Sequence, residues 1–353
     1  MPQQVFDLAL AGRNGTAYTL AQLAVSAGLS VLVLDLPAEA PQVTVSWVVK
    51  QKPALLEEAL TARAFYLQLC DELDVPLLSK GALLLAFQEE EMTVLEEFAG
   101  KASLLGYILQ LLTPQETLRA HAAVSPVGLE GALLSPTEIS FSNPLLLRQW
   151  RKKLSRQGVA FRSLPEALAG EAGLSVLLEH MPAQRRFLCD ARLARAVLPS
   201  PLPPAQAGAA LSSAEGRVHA RVAGKYLLNA GWVENPVPSF ELCESLPQLR
   251  PRLLKGCGCE AVLLPDPSDG YYLCLSTIQH RTAESFGRTC RHKVQRRLGV
   301  REASLRKLQS PYLPPGLHHF SASGDAEVFV AEGDIHAARV LARARAVLSG
   351  ARP

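Results

Sequence analysis

The stretch that most limits what this chain can fold into is residues 5–35. Residues 5–11 form an apolar run broken only by Asp7, the pattern of a strand. Gly12-Arg13-Asn14-Gly15 is a turn cluster. In residues 16–27, Ala17, Leu20, Ala21 and Ala24 recur at i, i+3, i+4 and i+7, which predicts a helix. Gly28 sits where a helix end favours a left-handed residue. Val31-Leu32-Val33-Leu34 is an unbroken apolar run, as expected of a strand buried on both faces of a parallel sheet, and Asp35 ends it.

Strand, turn, helix and strand closed by an acid is an order with a mechanism. A glycine turn lets backbone approach a pyrophosphate, and a helix N-terminus offers free N–H groups and the positive end of its dipole. An acid about 20 residues further on accepts from a ribose hydroxyl. Asp35 follows Gly12 by 35 − 12 = 23 positions. Set against G-x-G-x-x-G/A, the turn is Gly12-x-Asn14-x-x-Ala17, with Asn14 in place of the second glycine. Asn tolerates positive φ better than other side chains, and Gly15 adds a further small residue. A dinucleotide site and a purely structural βαβ unit both remain open on these residues.

Composition narrows the class. A chain of 353 residues, at roughly 150 per domain, allows two domains or one large one. With 48% hydrophobic and 20% charged residues it builds a core, which excludes global disorder. A net charge of +3 argues against a dedicated nucleic-acid binder. Seven cysteines are too few for a disulfide scaffold and fit a reducing compartment. No run approaches the ~18 apolar residues of a membrane span, and Met1-Pro2-Gln3-Gln4 lacks the basic start of a signal peptide. A cytoplasmic protein without a transmembrane segment is the expectation.

Further along, ordered segments carry a resemblance. They are a helical stretch at 62–74, Gly81-Ala82-Leu83-Leu84-Leu85-Ala86-Phe87, an acidic helix at 89–99, Leu112-Thr113-Pro114-Gln115-Glu116, and Gly131-Ala132-Leu133-Leu134 before Asn143-Pro144-Leu145-Leu146. They continue with Gly158-Val159-Ala160-Phe161, Gly216-Arg217-Val218, the run from Lys225 to Trp232, Gly324, and a closing helix at 335–348. In this order the chain resembles the FAD-dependent oxidoreductases of the D-amino-acid-oxidase and glycerol-3-phosphate-dehydrogenase superfamily. The resemblance implies an α/β fold: a Rossmann-like dinucleotide domain and a second, mixed-sheet substrate domain. It implies FAD as cofactor, held by Gly12, Arg13, Asn14, Gly15, Asp35, Leu36, Ala230, Gly231 and Gly324. It implies a flavin that accepts a hydride from a small hydroxy acid, polyol phosphate or amine. No catalytic residue is assigned.

Two departures mark the flavin site as degenerate. The family's Gly/Ser-rich loop after the ribose acid is missing, since residues 36–47 contain no glycine. Glu327-Val328-Phe329 brings bulk where the family favours small residues. They motivate the alternative of a non-catalytic relative that serves as a partner subunit or binding module; a nicotinamide enzyme is the third option. The expected division is 1–45, 145–235 and 312–353 for the dinucleotide domain, and 46–144 and 236–311 for the substrate domain. A proline-rich stretch from 199 to 210 is expected as an exposed loop.

Other groups carry weaker signals. Cys257-Gly258-Cys259 lacks the second close pair that a metal site wants. His318 and His319 would face opposite ways on a strand. Tyr271, Tyr272 and His280 fall where a substrate domain would lie. Arg288, Arg291, His292, Lys293, Arg296, Arg297, Arg301, Arg306 and Lys307 form a basic stretch interleaved with Ala283, Phe286, Cys290, Val294 and Leu298, an amphipathic helix with a solvated basic side. That side offers a route to an anionic partner or a peripheral membrane contact. Nothing supports hydrolase, zincin or P-loop chemistry.

Overall fold

The computed structural model describes residues 5–36, 43–45, 56–104, 106–121, 124–165, 168, 171–197, 212–218, 227–229, 259–265, 271–277, 297, 304–305, 316–322, 326–332 and 336–349. In chain order the elements are β1 (Phe6–Ala11), α1 (Gly15–Ser26), β2 (Val31–Asp35), β3 (Val43–Val45), α2 (Leu56–Glu72), β4 (Leu77–Ala86), α3 (Glu89–Leu104) and β5 (Gln110–Leu112). There follow α4 (Pro114–Ala120), β6 (Gly131–Ser142), α5 (Asn143–Arg156), β7 (Ala160–Ser163), α6 (Glu171–Glu179), β8 (Ala183–Leu188) and α7 (Ala191–Val197). The rest are β9 (Ser212–Val218), β10 (Leu227–Asn229), β11 (Cys259–Pro265), β12 (Tyr271–Thr277), β13 (Ser304–Leu305), β14 (Gly316–Ser321), β15 (Ala326–Glu332) and α8 (His336–Leu348).

The strands form two sheets. The first has the order β14-β15-β8-β1-β2-β7. It is parallel except for the edge strand β14, which pairs antiparallel with β15. The second has the order β13-β9-β12-β11-β10-β4-β6-β3, with β5 also on β6. It is mixed: β10 runs parallel to β4 and the other pairs are antiparallel. The α/β class, with a Rossmann-like sheet and a second mixed sheet, is therefore the one observed.

The first sheet is buried on both faces, as its apolar runs require. Leu8, Leu10, Val31 and Val33 join a core with Tyr18, Trp150, Phe187 and Phe329. Ala9, Ala11, Leu32 and Leu34 join the opposite core with Leu177, Leu188 and Leu193. Asp7 interrupts β1 for a local reason: its carboxylate accepts from the Ser30 N–H and hydroxyl at 2.8 and 2.6 Å, tying the start of β1 to the turn before β2. Gly28 ends α1 at φ +80°, the left-handed value its position asks for.

Three strands lie elsewhere than expected. β3, β9 and β10 fall in the sequence ranges expected of the dinucleotide part, but they hydrogen-bond in the nine-stranded sheet. The strand beside β1 is β8 instead. Its sequence, Ala-Gln-Arg-Arg-Phe-Leu, hides it, because two arginines stand where a buried central strand is usually apolar. No helix among the described residues is long and apolar enough to cross a membrane. The stretch at 199–210 lies outside the described residues.

Candidate functional site

The strand order places a cleft. From β1 the chain moves to β2 and β7 on one side, then returns to place β8 on the other. Such a reversal opens a crevice at the carboxyl ends of the two central strands, where α/β proteins bind ligands. Here those ends are Ala11-Gly12 and Leu188-Cys189. Gly12 has φ +153°, and a Cβ on it would meet the Cys189 carbonyl carbon at 3.1 Å. The turn therefore needs glycine to fit against the neighbouring strand end.

Asn14 does not project into the crevice as a crowding side chain. It is the N-cap of α1: its Oδ1 accepts from the Ala17 N–H at 2.9 Å, and its Nδ2 donates to the Cys189 carbonyl at 2.6 Å. The first-turn N–H groups of Gly15 and Thr16 are left without an acceptor among the described residues. Arg13 is exposed at the same turn.

Asp35 closes β2 and is only 3% exposed. Its Oδ1 accepts from the Tyr18 hydroxyl at 3.2 Å. The Arg151 Nε lies 3.1 Å from Oδ2, but out of hydrogen-bonding alignment, so that buried oxygen has no donor among the described residues. Burial raises the Asp35 carboxyl above its ordinary range, against the lowering effects of Arg151, the Tyr18 bond and Arg13. Burial and the nearby carboxylate push the Tyr18 phenol up, so it stays a donor. Tyr18 is held edge-on to Trp150 and Phe161, each 5.9 Å between centroids. The Arg151 guanidinium lies over the Phe161 ring at 5.0 Å.

These groups fit the adenosine and pyrophosphate end of a dinucleotide. The open amides could receive an anion, and the buried carboxylate oxygen could take a donor such as a ribose hydroxyl. Gly12, Arg13, Asn14, Gly15 and Asp35 are thus gathered at one crevice. Leu36 is not: its side chain is fully buried in the apolar core with Leu177 and Leu188. Ala230, Gly231 and Gly324 lie outside the described residues. β10, just before Ala230, hydrogen-bonds in the nine-stranded sheet.

Several crevice residues carried no sequence signal. Cys189 and Asp190 follow β8 directly. The Cys189 thiol is pushed up, chiefly by burial and then by Asp190, and packs as an inert apolar group. Asp190 accepts from the Arg192 N–H and Nε through Oδ1 at 2.9 and 3.0 Å, and from Nη2 through Oδ2 at 2.8 Å, fixing the turn into α7. Tyr18 falls inside the helix expected at 16–27, and neither it nor Arg151 belongs to a motif.

The other candidates resolve into structure. Val328 and Phe329 point into the two cores of the first sheet, not into a ligand space, so their bulk is packing. His319 bonds Glu327 through Nε2 at 2.9 Å, and its Nδ1 faces Arg343 at 3.2 Å. Arg297 departs from the solvated-face expectation: it is buried, pairs with Glu91 at 2.9 Å and stacks 4.9 Å over Phe87. Of the rest of the basic stretch, positions 288–296, Arg301, Arg306 and Lys307 lie outside the described residues, as do Cys257 and His280. Cys259 opens β11, and Tyr271 and Tyr272 lie on β12.

Comparison with known proteins agrees with this geometry. Residues 15–174 match the family model of the FAD dependent oxidoreductases, beginning just after Asn14. A search of curated proteins finds no match. Among solved structures, glycine oxidase from Geobacillus kaustophilus superposes with TM-score 0.66 at 14% identity, over 99% of this chain and 96% of that one. L-proline dehydrogenase from P. horikoshii gives 0.66 at 10% identity, over 99% and 95%. L-alpha-glycerophosphate oxidase from Mycoplasma pneumoniae, solved with FAD bound, gives 0.63 at 11% identity, over 98% and 95%. Over residues 15–174 this chain is similar to the FAD dependent oxidoreductase family, and throughout its length it shares the fold of these solved structures.

Proposed function

We propose that this chain binds FAD in the crevice between β1 and β8 and oxidises a small substrate at a carbon bearing an amine or a hydroxyl. The observation that carries the reading is the pairing of open amides at Gly15 and Thr16 with a donor-less buried oxygen on Asp35. Those amides would face the pyrophosphate, and Asp35 the adenosine ribose. Gly12 keeps the turn close to Cys189, and Asn14 ties the two strand ends together. Bound flavin supplies a two-electron acceptor, which leaves the protein to position the substrate and exclude water. The nine-stranded sheet is the part that covers the flavin and selects the substrate.

The glycine, proline and glycerophosphate in the names of the three structural neighbours support a substrate among small amino acids, amines and polyol phosphates. The decisive experiment is the visible spectrum of the purified chain, before and after incubation with FAD. Flavin bands in near-stoichiometric amount, bleached anaerobically by a small amine or hydroxy acid, are the expected result. A protein that stays colourless and takes up no FAD overturns the reading. It would favour a non-catalytic relative acting as a partner subunit or binding module, for which the ion-paired state of Asp35 is the motive.

A further inference from the structure

We infer that Arg151 is a displaceable guard on the ribose acid: its guanidinium occupies the approach to Asp35 Oδ2, and it must slide aside along Phe161 before an adenosine ribose can bond there. The inference rests on the reading of the crevice as a nucleotide site and concerns what sets its affinity.

Four features carry it. The Arg151 side chain is 38% exposed and Asp35 is 3% exposed, so Arg151 lies between the acid and solvent. The contact is close, 3.1 Å, yet it makes no aligned hydrogen bond, and Oδ2 keeps an unused acceptor. A well-made guanidinium–carboxylate pair is a two-bond fork, and this one is not. Tyr18 meanwhile fixes Oδ1, so Oδ2 is the oxygen left for a ligand. Finally, the guanidinium already rests on the Phe161 face. A flat cation over a ring has many near-equal positions, so moving off Oδ2 keeps the stacking contact. Arg151 acts through Asp35 and is a positioning residue.

The consequence is a nucleotide site that partly forfeits its ribose bond to an internal competitor. Competitive titration against FAD on the full chain tests this, using ADP and 2′,3′-dideoxy-ADP as probes. The ratio of the two affinities reports the ribose bond alone, because charge effects on the pyrophosphate act on both probes. Wild type should favour ADP by about tenfold, less than a full bond to a charged acceptor gives. In Arg151→Met, which keeps a stem over Phe161, the ratio should widen about tenfold, to the worth of a full hydrogen bond to a charged acceptor. Arg151→Lys keeps the charge but not the planar fork and should fall between. Asp35→Asn should bring the ratio near one.

An unchanged ratio in Arg151→Met overturns the guard while leaving FAD binding intact. A narrowed ratio overturns it too, by making Arg151 a direct ribose contact. If FAD binds none of the proteins, the nucleotide reading itself falls and the guard with it.

Discussion

Two acids on the six-stranded sheet sit in opposite situations. Asp35, at the carboxyl end of β2, is almost wholly buried, holds one hydroxyl bond and faces a misaligned cation. Glu327, inside β15, is more exposed and far better served. Its Oε1 accepts from Arg185 Nη2 at 2.9 Å and Nε at 3.3 Å, and its Oε2 accepts from His319 at 2.9 Å. Arg343 Nη2 lies 3.2 Å from the other ring nitrogen of His319. Burial acts to raise both carboxyls, but only at Glu327 do the bonds from His319 and Arg185 outweigh it and hold the group below its ordinary range. Glu327, which serves the fold, is fully bonded, and Asp35 is left short, as its proposed ribose contact requires. The same contrast separates Asp190, closed by Arg192, from Asp35.

The largest expected effect comes from removing the under-served acid. Asp35→Asn should weaken FAD binding by about ten- to a hundred-fold, the range for a lost charge-assisted bond. It should cost little stability, because the buried charge it removes was poorly compensated. Flavin fluorescence titration and thermal melting separate the two readouts. Glu327→Ala should do the reverse. It strands Arg185 and frees His319, so a loss of about 1–2 kcal/mol is expected after allowing for partial exposure. FAD affinity should hold once the variant is folded. If the two variants behaved alike, the distinction between ligand-facing and structural acids would collapse.

The two acids also predict opposite pH behaviour. Glu327 is depressed in the fold, so the stability it adds is present above its unfolded pKa and fades as pH falls through the folded value, below 4.5. Asp35 is raised, so wild type gains stability relative to Asp35→Asn as pH falls through the folded value, above 3.8. Chemical denaturation of wild type and both variants between pH 3.5 and pH 7, a range set by ordinary carboxyl values, should give difference curves of opposite slope. Parallel curves would contradict the assignment.

How much of this was legible follows from which interactions are local. The β1-α1-β2 unit could be read because period, glycine and terminal acid all lie within one stretch, and the observed α1 differs from the expected 16–27 by one residue at each end. The closing helix, expected at 335–348, forms at 336–348 for the same reason. β8 was not legible as the neighbour of β1, because Arg185 and Arg186 break its apolar pattern. The Arg185 partners, Glu327 and the Val347 carbonyl, come into reach only in the folded chain. Tyr18 and Arg151 were invisible for a related reason. Helical spacing marks a face, but it does not reveal that two residues 133 positions apart will meet at the end of a strand.

Asn14 gives the smallest expected effect and the sharpest check on the turn. In the sequence it stands where a dinucleotide fingerprint has glycine, which invites the idea that it obstructs a phosphate. Its geometry says otherwise, since both polar atoms of its amide are spent on Ala17 N–H and the Cys189 carbonyl. Asn14→Gly removes a side-chain cap at a position where glycine costs only a few tenths of a kcal/mol. It also removes one bond between the two strand ends, worth about 1 kcal/mol. A small drop in melting temperature with FAD affinity retained is therefore expected. A gain in affinity would mean that the side chain does crowd the pyrophosphate. A large loss would mean that the amide turns outward to hold the cofactor itself, making Asn14, like Asp35, a group held in reserve for a ligand.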